Sequence, residues 1–581
     1  MKDLRYTRFL GFISGLTMAF TGAIGMIEVF NQRTLIDPFL TMGTLMLLGI
    51  PAVIGVVAAK GRSNPLEGPT RDPLRGALAG LIMGLIAGVF ASLFVLLVDT
   101  VDLTEFFPNL RPAMVDAMTF GFGVPVGLAV LSAASGLAGA AGGFFSGMSA
   151  DIRRGMGAAL AWVLGFSLLQ GVVADIVEVR TVIRAIYSPQ DGLQWWAALI
   201  IGALAWWLTL RYQGTGKTFA KRVREADPKG SLRRSLIGLA ILMAVFLPML
   251  LGGILNELLI NVSFFILMGL GLNIVVGYAG LLDLGYVAFF AVGAYGTAVL
   301  TSPLSSTVNP EMSWWLALLV VIGLAAIAGI LVGTPVLRMR GDYLAIVTLG
   351  FGEMVRILLL SDWLTPIFGG AQGIRRIPGI PIPFTDITIS GVDPQLFIYF
   401  TLFFVLIATY VSYRASTARV GRAWAAMRED EEVAEATGVS TVSAKLLAFV
   451  TGAIIASFAG ALFSAKVGAV FTNSFDLLVS IVVLLVVILG GMGSIPGIYV
   501  GSLVLIGLLG GPKSPGLLAE FGAYKLLFYG AILVFMMLKR PEGLWPSKLR
   551  SRELHIGELS QDAWLEKKGE FSSADGEEAT V

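Results

Sequence analysis

Apolar runs of about twenty residues, the length that crosses a bilayer, recur along this chain from end to end. They fall near residues 9–29, 39–59, 77–98, 120–143, 155–173 and 195–210. A second series lies near 236–254, 258–277, 281–300, 314–337, 343–360, 397–413, 446–467, 477–489, 499–509 and 525–538. With 56% apolar and only 14% charged residues among 581, a water-soluble enzyme is excluded. The pattern predicts an all-α polytopic membrane protein of about 16 transmembrane helices, six plus ten. The 71 glycines agree, because small residues let helices approach closely in lipid.

Between the two series lies the longest basic stretch, residues 211–235, with Lys217, Lys221, Arg222, Arg224, Lys229, Arg233 and Arg234 around Pro228-Lys229-Gly230. It reads as a cytoplasmic linker. Lys2, Arg5 and Arg8, the connection 60–75, Arg338 and Arg340, the stretch 414–428 and the chain after 539 all bring basic residues to the same side. By the positive-inside rule both termini are then cytoplasmic, with Arg180, Arg184, Arg375 and Arg376 as exceptions. The expected organisation is a six-span membrane domain over 1–210, the linker 211–235, a second membrane domain over 236–540 and an acidic tail over 541–581. From Ser551 that tail holds eight acids against three bases and reads as disordered, solvated chain.

The chain has no cysteine, and its single histidine, His555, lies in the tail, so thiolate or histidine metal sites in the membrane are excluded and no cofactor is expected. Gly214-Thr-Gly-Lys-Thr218 resembles the end of a phosphate-binding loop, but Arg211 stands where the loop needs its first glycine. The chain itself should neither bind ATP nor be an enzyme.

Four segments stand out from the apolar background. Residues 269–296, GLGLNIVVGYAGLLDLGYVAFFAVGAYG, carry seven glycines interleaved with aromatics, and Asp283 lies inside the run. A mid-bilayer carboxylate costs about 2.5–3.5 kcal/mol on insertion scales, so Asp283 either lines a translocation pathway or sits nearer the edge and shapes a turn. Residues 338–356, RMRGDYLAIVTLGFGEMVR, place Glu353 and Arg356 three apart on one helix face, spaced to pair. Residues 421–449 read as a helix to about Ala436, a break at Gly438 and a restart near Ser440 or Thr441. Their small residues suit a helix laid into a partner's groove. Residues 489–497, LGGMGSIPG, demand irregular backbone between two apolar runs, either a re-entrant segment beside a pathway or a tight turn.

In this order these segments resemble branched-chain amino acid ABC transporter permeases of the LivM type. The matching stretches are residues 272–295, Arg338-Met-Arg-Gly-Asp-Tyr-Leu-Ala-Ile, Gly369-Gly-Ala-Gln-Gly-Ile374 and 488–497, within roughly residues 236–540. The resemblance implies a type-II-like ABC importer permease fold there and a place in a bacterial inner membrane. It also implies a sister permease, two cytoplasmic ATPase subunits and an extracytoplasmic substrate-binding protein as partners. The family's coupling motif, Glu-Ala-Ala, three residues, Gly, is matched by Glu432-Val-Ala-Glu-Ala-Thr-Gly438, with Val433 replacing the first alanine. The resemblance therefore assigns Arg428, Glu432, Ala434, Glu435 and Gly438 to an ATPase-coupling loop. Candidates for the pathway are Asn273, Tyr278, Asp283, Tyr286 and Glu353. Residues 1–235 have no counterpart in the usual permease, and the role of the six-span domain over 1–210 stays open.

The substrate implied is a branched-chain or related amino acid, with urea or short amides as the alternative. An ion-coupled secondary transporter is the competing class. It calls for several unpaired mid-membrane acids, whereas Asp283 and Glu353 are essentially all there are, and Arg356 stands beside the latter.

Overall fold

A computed structural model describes residues 2–60, 72–177, 180–188, 192–212, 246–304, 310–336, 339, 342–385 and 387–547. The linker from residue 213, Arg338, Arg340 and Gly341, and the tail from residue 548 lie outside the described residues. The chain divides into two compact, predominantly helical units, Met1–Leu242 and Met243–Val581.

The first unit is built on α1 (Lys2–Ala23), α2 (Met42–Lys60), α3 (Pro73–Thr100), α4 (Val124–Gly147), α5 (Ala150–Leu168) and α6 (Trp195–Arg211). Asp72 starts α3 by accepting the Leu74 amide at 3.1 Å, with Pro73 in the first turn. Along one side of α3, Gly76, Gly80, Gly84 and Gly88 recur every fourth residue and are all buried. They meet Ser135, Gly139 and Gly143 of α4, and a Cβ added at Gly80 would run into the Gly139 carbonyl. The two backbones therefore touch, which is how helices associate where lipid offers no hydrophobic drive. A small sheet ties the ends of the unit together: β1 (Thr34–Asp37) runs antiparallel to β2 (Leu40–Thr41) and parallel to β3 (Leu193–Gln194), pairing Ile36 with Leu40 and with Leu193.

The second unit holds α7 (Gly253–Leu272), α8 (Val287–Thr301), α9 (Trp314–Val336), α10 (Asp342–Leu360), α11 (Pro394–Thr417), α12 (Arg419–Glu429), α13 (Glu431–Ala436), α14 (Thr441–Val467), α15 (Leu477–Gly490), α16 (Ile495–Ser502) and α17 (Lys525–Lys539). Helix α7 widens into a π-helical turn over Asn273–Tyr278, and α16 does the same over Leu503–Leu509. Helices α7 and α14 form the centre, with α8 and α9 against α14 and α11 against α7. Within α7 and its π turn, 89% of the apolar window is buried, against 11% around α17. Helix α7 is thus an axis surrounded by protein, and α17 a peripheral helix with an apolar surface.

Among the described residues ten helices are long and apolar enough to cross a membrane. The count becomes eleven if α5 and Gln170–Ile176, bent by 73°, form one span. The expected total of 16 is not reached by length alone. The segments expected near 195–210, 281–300 and 499–509 are the shorter apolar helices Trp195–Arg211, Val287–Thr301 and Ile495–Leu509, and most of 236–254 is not described. Helix α8 is short because the chain from Leu281 to Tyr286 leaves the helix, as the glycines there allow.

Gly80→Val should destabilise the first unit by about 1–3 kcal/mol, the usual cost of overpacking, because neither backbone at that crossing can retreat. Gly49→Val, with open space around the added carbon, should change little. Thermal denaturation of both variants in mild detergent checks this, and equal melting of the two contradicts the packing.

Candidate functional site

The site is assembled around two interruptions of apolar helices. After the π turn, the backbone between α7 and α8 is non-helical, and several of its amides find partners. Leu281 donates to the Val275 carbonyl at 2.9 Å. Leu284 donates to Thr348 Oγ1 of α10 at 3.0 Å, and Gly285 to Asp283 Oδ1 at 2.9 Å. Val287 donates to Ser480 Oγ of α15 at 2.9 Å. The Tyr286 hydroxyl donates to the Gly452 carbonyl of α14 at 2.8 Å. Both Asp283 and Tyr286 are fully enclosed, and Asp283 Oδ2 has no hydrogen-bond partner among the described residues.

The second interruption is Gly490–Ser494, between α15 and α16. Gly491 and Gly493 have φ of +117° and +77°, which turn the chain back on itself. Ser494 opens α16 by accepting the Gly497 amide at 3.1 Å. Beyond α17 the chain returns here, with Leu544 and Trp545 donating to the carbonyls of Leu489 and Gly490 at 2.8 and 2.9 Å. Asn273 joins the two interruptions: its Oδ1 accepts the Gly493 amide at 2.8 Å while its side chain is wholly buried.

Helices α12 and α13 lie against this region. Asp430 caps α13 by accepting the amides of Glu432 and Val433 at 2.9 and 3.1 Å. Three contacts hold the pair to the core. Trp424 Nε1 donates to the Ala444 carbonyl at 2.8 Å, and Lys445 Nζ, almost completely buried, pairs with Glu431 at 2.6 Å. Arg428 Nη1 donates to the Gly277 carbonyl, inside the π turn, at 2.8 Å. Its side chain fits across Gly280, whose φ of +74° and missing Cβ leave the space for it. A cavity of about 690 Å³ lies here, lined in part by Tyr278, Tyr413, Arg422, Arg428, Ser494 and Trp545.

Of the residues singled out in sequence, Asn273, Tyr278 and Arg428 come together at this junction. Ala434 is buried, whereas Glu432, Glu435 and Gly438 lie on the exposed side of α13 and the turn that follows. Asp283 and Tyr286 hold the interruption and do not line this cavity. Glu353 pairs with Arg356 on α10, its Oε1 accepting from Arg356 Nε at 2.9 Å. Four residues were missed: Thr348, Ser480, Lys445 and Trp424. A lone hydroxyl or lysine within an apolar stretch was the only available signal.

The second unit is thus an apolar helical bundle with two interruptions, against which a helical arm with an exposed face is packed. The profile described as "Branched-chain amino acid transport system / permease component" matches residues 254–537. The chain belongs to this family. It is 38% identical over 301 residues to the high-affinity branched-chain amino acid transport system permease protein LivM of Escherichia coli (strain K12), covering 48% of this chain and 68% of that one. The LivM of Salmonella typhimurium is also 38% identical, over 313 residues, 51% of this chain and 70% of the relative. A LivM branched-chain amino acid transport permease protein of Methanocaldococcus jannaschii is 26% identical over 307 residues, 48% of this chain and 85% of the relative. These matches leave the N-terminal part without a family, and no solved structure matches the chain significantly. The protein is thus a multi-pass membrane permease component, a transport subunit whose family works in complexes with other subunits.

Asn273→Ala should leave the Gly493 amide without its acceptor, and a buried donor so stranded costs about 1–3 kcal/mol. Hydrogen exchange in the 490–497 peptide should accelerate by about tenfold or more, as that cost implies. Exchange at the wild-type rate contradicts a clasp at this position.

Proposed function

We infer that this chain is the membrane-spanning subunit of an ATP-binding-cassette importer that moves branched-chain amino acids, driven by separate ATPase subunits. The observation that carries the reading is the Arg428 link. Helix α13 turns Glu432, Val433 and Glu435 outward, while the helix before it grips the carbonyl of Gly277 inside the broken α7. An ATPase subunit seated on α13 moves an arm whose other end is fastened to the irregular backbone of the membrane core. The buried Lys445–Glu431 pair and the Trp424 hydrogen bond make that arm stiff, because each loses its partner inside protein if the arm tilts alone. The Gly277–Asn273–Gly493 connection then carries the displacement to the glycine turn between α15 and α16.

On this reading the partners are a sister permease, two cytoplasmic ATPase subunits and an extracytoplasmic binding protein, in a bacterial inner membrane with both termini inside. Asn273, Tyr278, Asp283, Tyr286 and Glu353 belong to or brace the pathway. Arg428, Glu432, Ala434, Glu435 and Gly438 form the coupling arm. Residues 1–210 are a six-span membrane domain added to the permease of 236–540, joined to it through 211–235, with 541–581 as an acidic tail.

Isolation of the intact chain from native membranes in mild detergent, followed by mass spectrometry, should recover two ATPases and a second permease. Glu432→Lys should preserve membrane insertion and lower ATP-driven leucine uptake by tenfold or more, the effect of a charge reversal at a docked surface. Undiminished uptake by this variant, or uptake by the purified chain without ATPases, would overturn the reading.

A further inference from the structure

Helix α14 is 27 residues long, about 40 Å at the α-helical rise, and a lysine is pinned at each end. Lys445 pairs with Glu431 near the arm, and Lys466 pairs with Glu257 at 2.7 Å at the other end. At that far end a cavity of about 610 Å³ opens between α7, α14 and the segment before α17. This volume lies within the ~300–1,000 Å³ typical of small-molecule sites.

Its wall is apolar, with Leu258, Phe264 and Met268 from α7 and Phe463 from α14. Two opposite charges also line it, the Glu257 carboxylate and the Lys513 ammonium. Both are about half exposed, and each is held in place by a counter-ion, Lys466 for Glu257 and Asp476, at 3.0 Å, for Lys513. A neutral pair of charges over an apolar chamber fits neither a simple cation nor a simple anion. It suits a molecule that carries both a positive and a negative group together with a branched hydrocarbon body. Urea and short amides have neither the charges nor the hydrocarbon to fill it.

We propose that this cavity is a transient binding site for the branched-chain amino acid within the permease. The α-ammonium lies toward Glu257, the α-carboxylate toward Lys513, and the side chain packs among Leu258, Phe264, Met268 and Phe463. The inference rests on the importer reading above, and it places the site at the end of the unit opposite the arm. Substrate arriving from outside would be held there before the interrupted helices open.

The test is photolabelling of the assembled transporter in lipid nanodiscs with a diazirine analogue of leucine, mapped by mass spectrometry, beside ATP-driven leucine uptake by the same complex. Peptides containing residues 257–268, 463 or 512–516 should be labelled, with L-leucine competing and urea and acetamide failing to compete. Lys513→Gln and Glu257→Gln should each reduce the leucine-competable labelling about tenfold, the loss of one charge-assisted contact. Glu257→Gln also unpairs Lys466, so Lys513→Gln, a change at a half-exposed residue, carries the test if that variant does not fold. Labelling that leucine does not displace, or that neither variant weakens, in a complex that still takes up leucine overturns the site and leaves the importer reading standing. A complex that recovers its ATPases yet takes up no leucine overturns both.

Discussion

The bilayer core offers no water, so any backbone group that leaves a helix there must find its partner inside the protein, at a cost of several kcal/mol if it does not. This constraint organises the second unit. The chain leaves the helix between α7 and α8 and again between α15 and α16, and the elements around these places supply the missing partners. Asp283, Thr348 and Ser480 take the amides of Gly285, Leu284 and Val287. Asn273 takes that of Gly493. Asp283 answers from within the interruption, but Thr348, Ser480 and Asn273 come from three different helical segments, so the interruptions depend on the rest of the bundle and are fastened to each other.

The same constraint explains why the arm matters. Arg428 reaches a carbonyl in the π turn, where the hydrogen-bond ladder of α7 is already stretched. A guanidinium there bonds a backbone acceptor and simultaneously ties a short, polar helix pair to the most enclosed helix of the unit. The first unit uses a different solution. Its α3 and α4 present glycine to glycine, so cohesion there comes from direct backbone contact, with Ser92 of α3 adding bonds to the Leu128 carbonyl and the Ser132 hydroxyl of α4.

How legible these features were depended on whether the partner was local. The Glu353–Arg356 pair was readable because three residues on a helix bring side chains to one face whatever surrounds them. The break at Gly438 and the restart at Thr441 were readable for the same reason, whereas the single helix expected to about Ala436 is divided at Asp430, whose extended backbone ends α12 and whose side chain caps α13. Asp283 supported two readings in the sequence, pathway or turn, and the structure shows its carboxylate bound to the amide two residues on. Ser480 and Thr348 gave only an ambiguous signal, because a hydroxyl in an apolar helix can bond its own preceding turn, and sequence does not say when it reaches elsewhere. The expectation of a full-length span over 281–300 failed on the same point: hydropathy averages over Leu281–Tyr286, where the backbone is not helical at all.

The sequence by itself determined the membrane class, the helical character and the family, since each follows from local composition, period or motif. The tertiary structure alone decided which polar group answers which broken amide, where Arg428 ends, and which charges stand over the far cavity. The pairings made by Thr348, Ser480, Arg428, Asn273 and Glu257 join residues 64 to 220 positions apart. Local chemistry states that a buried donor needs an acceptor. Only the packing of the helices determines which acceptor is within reach.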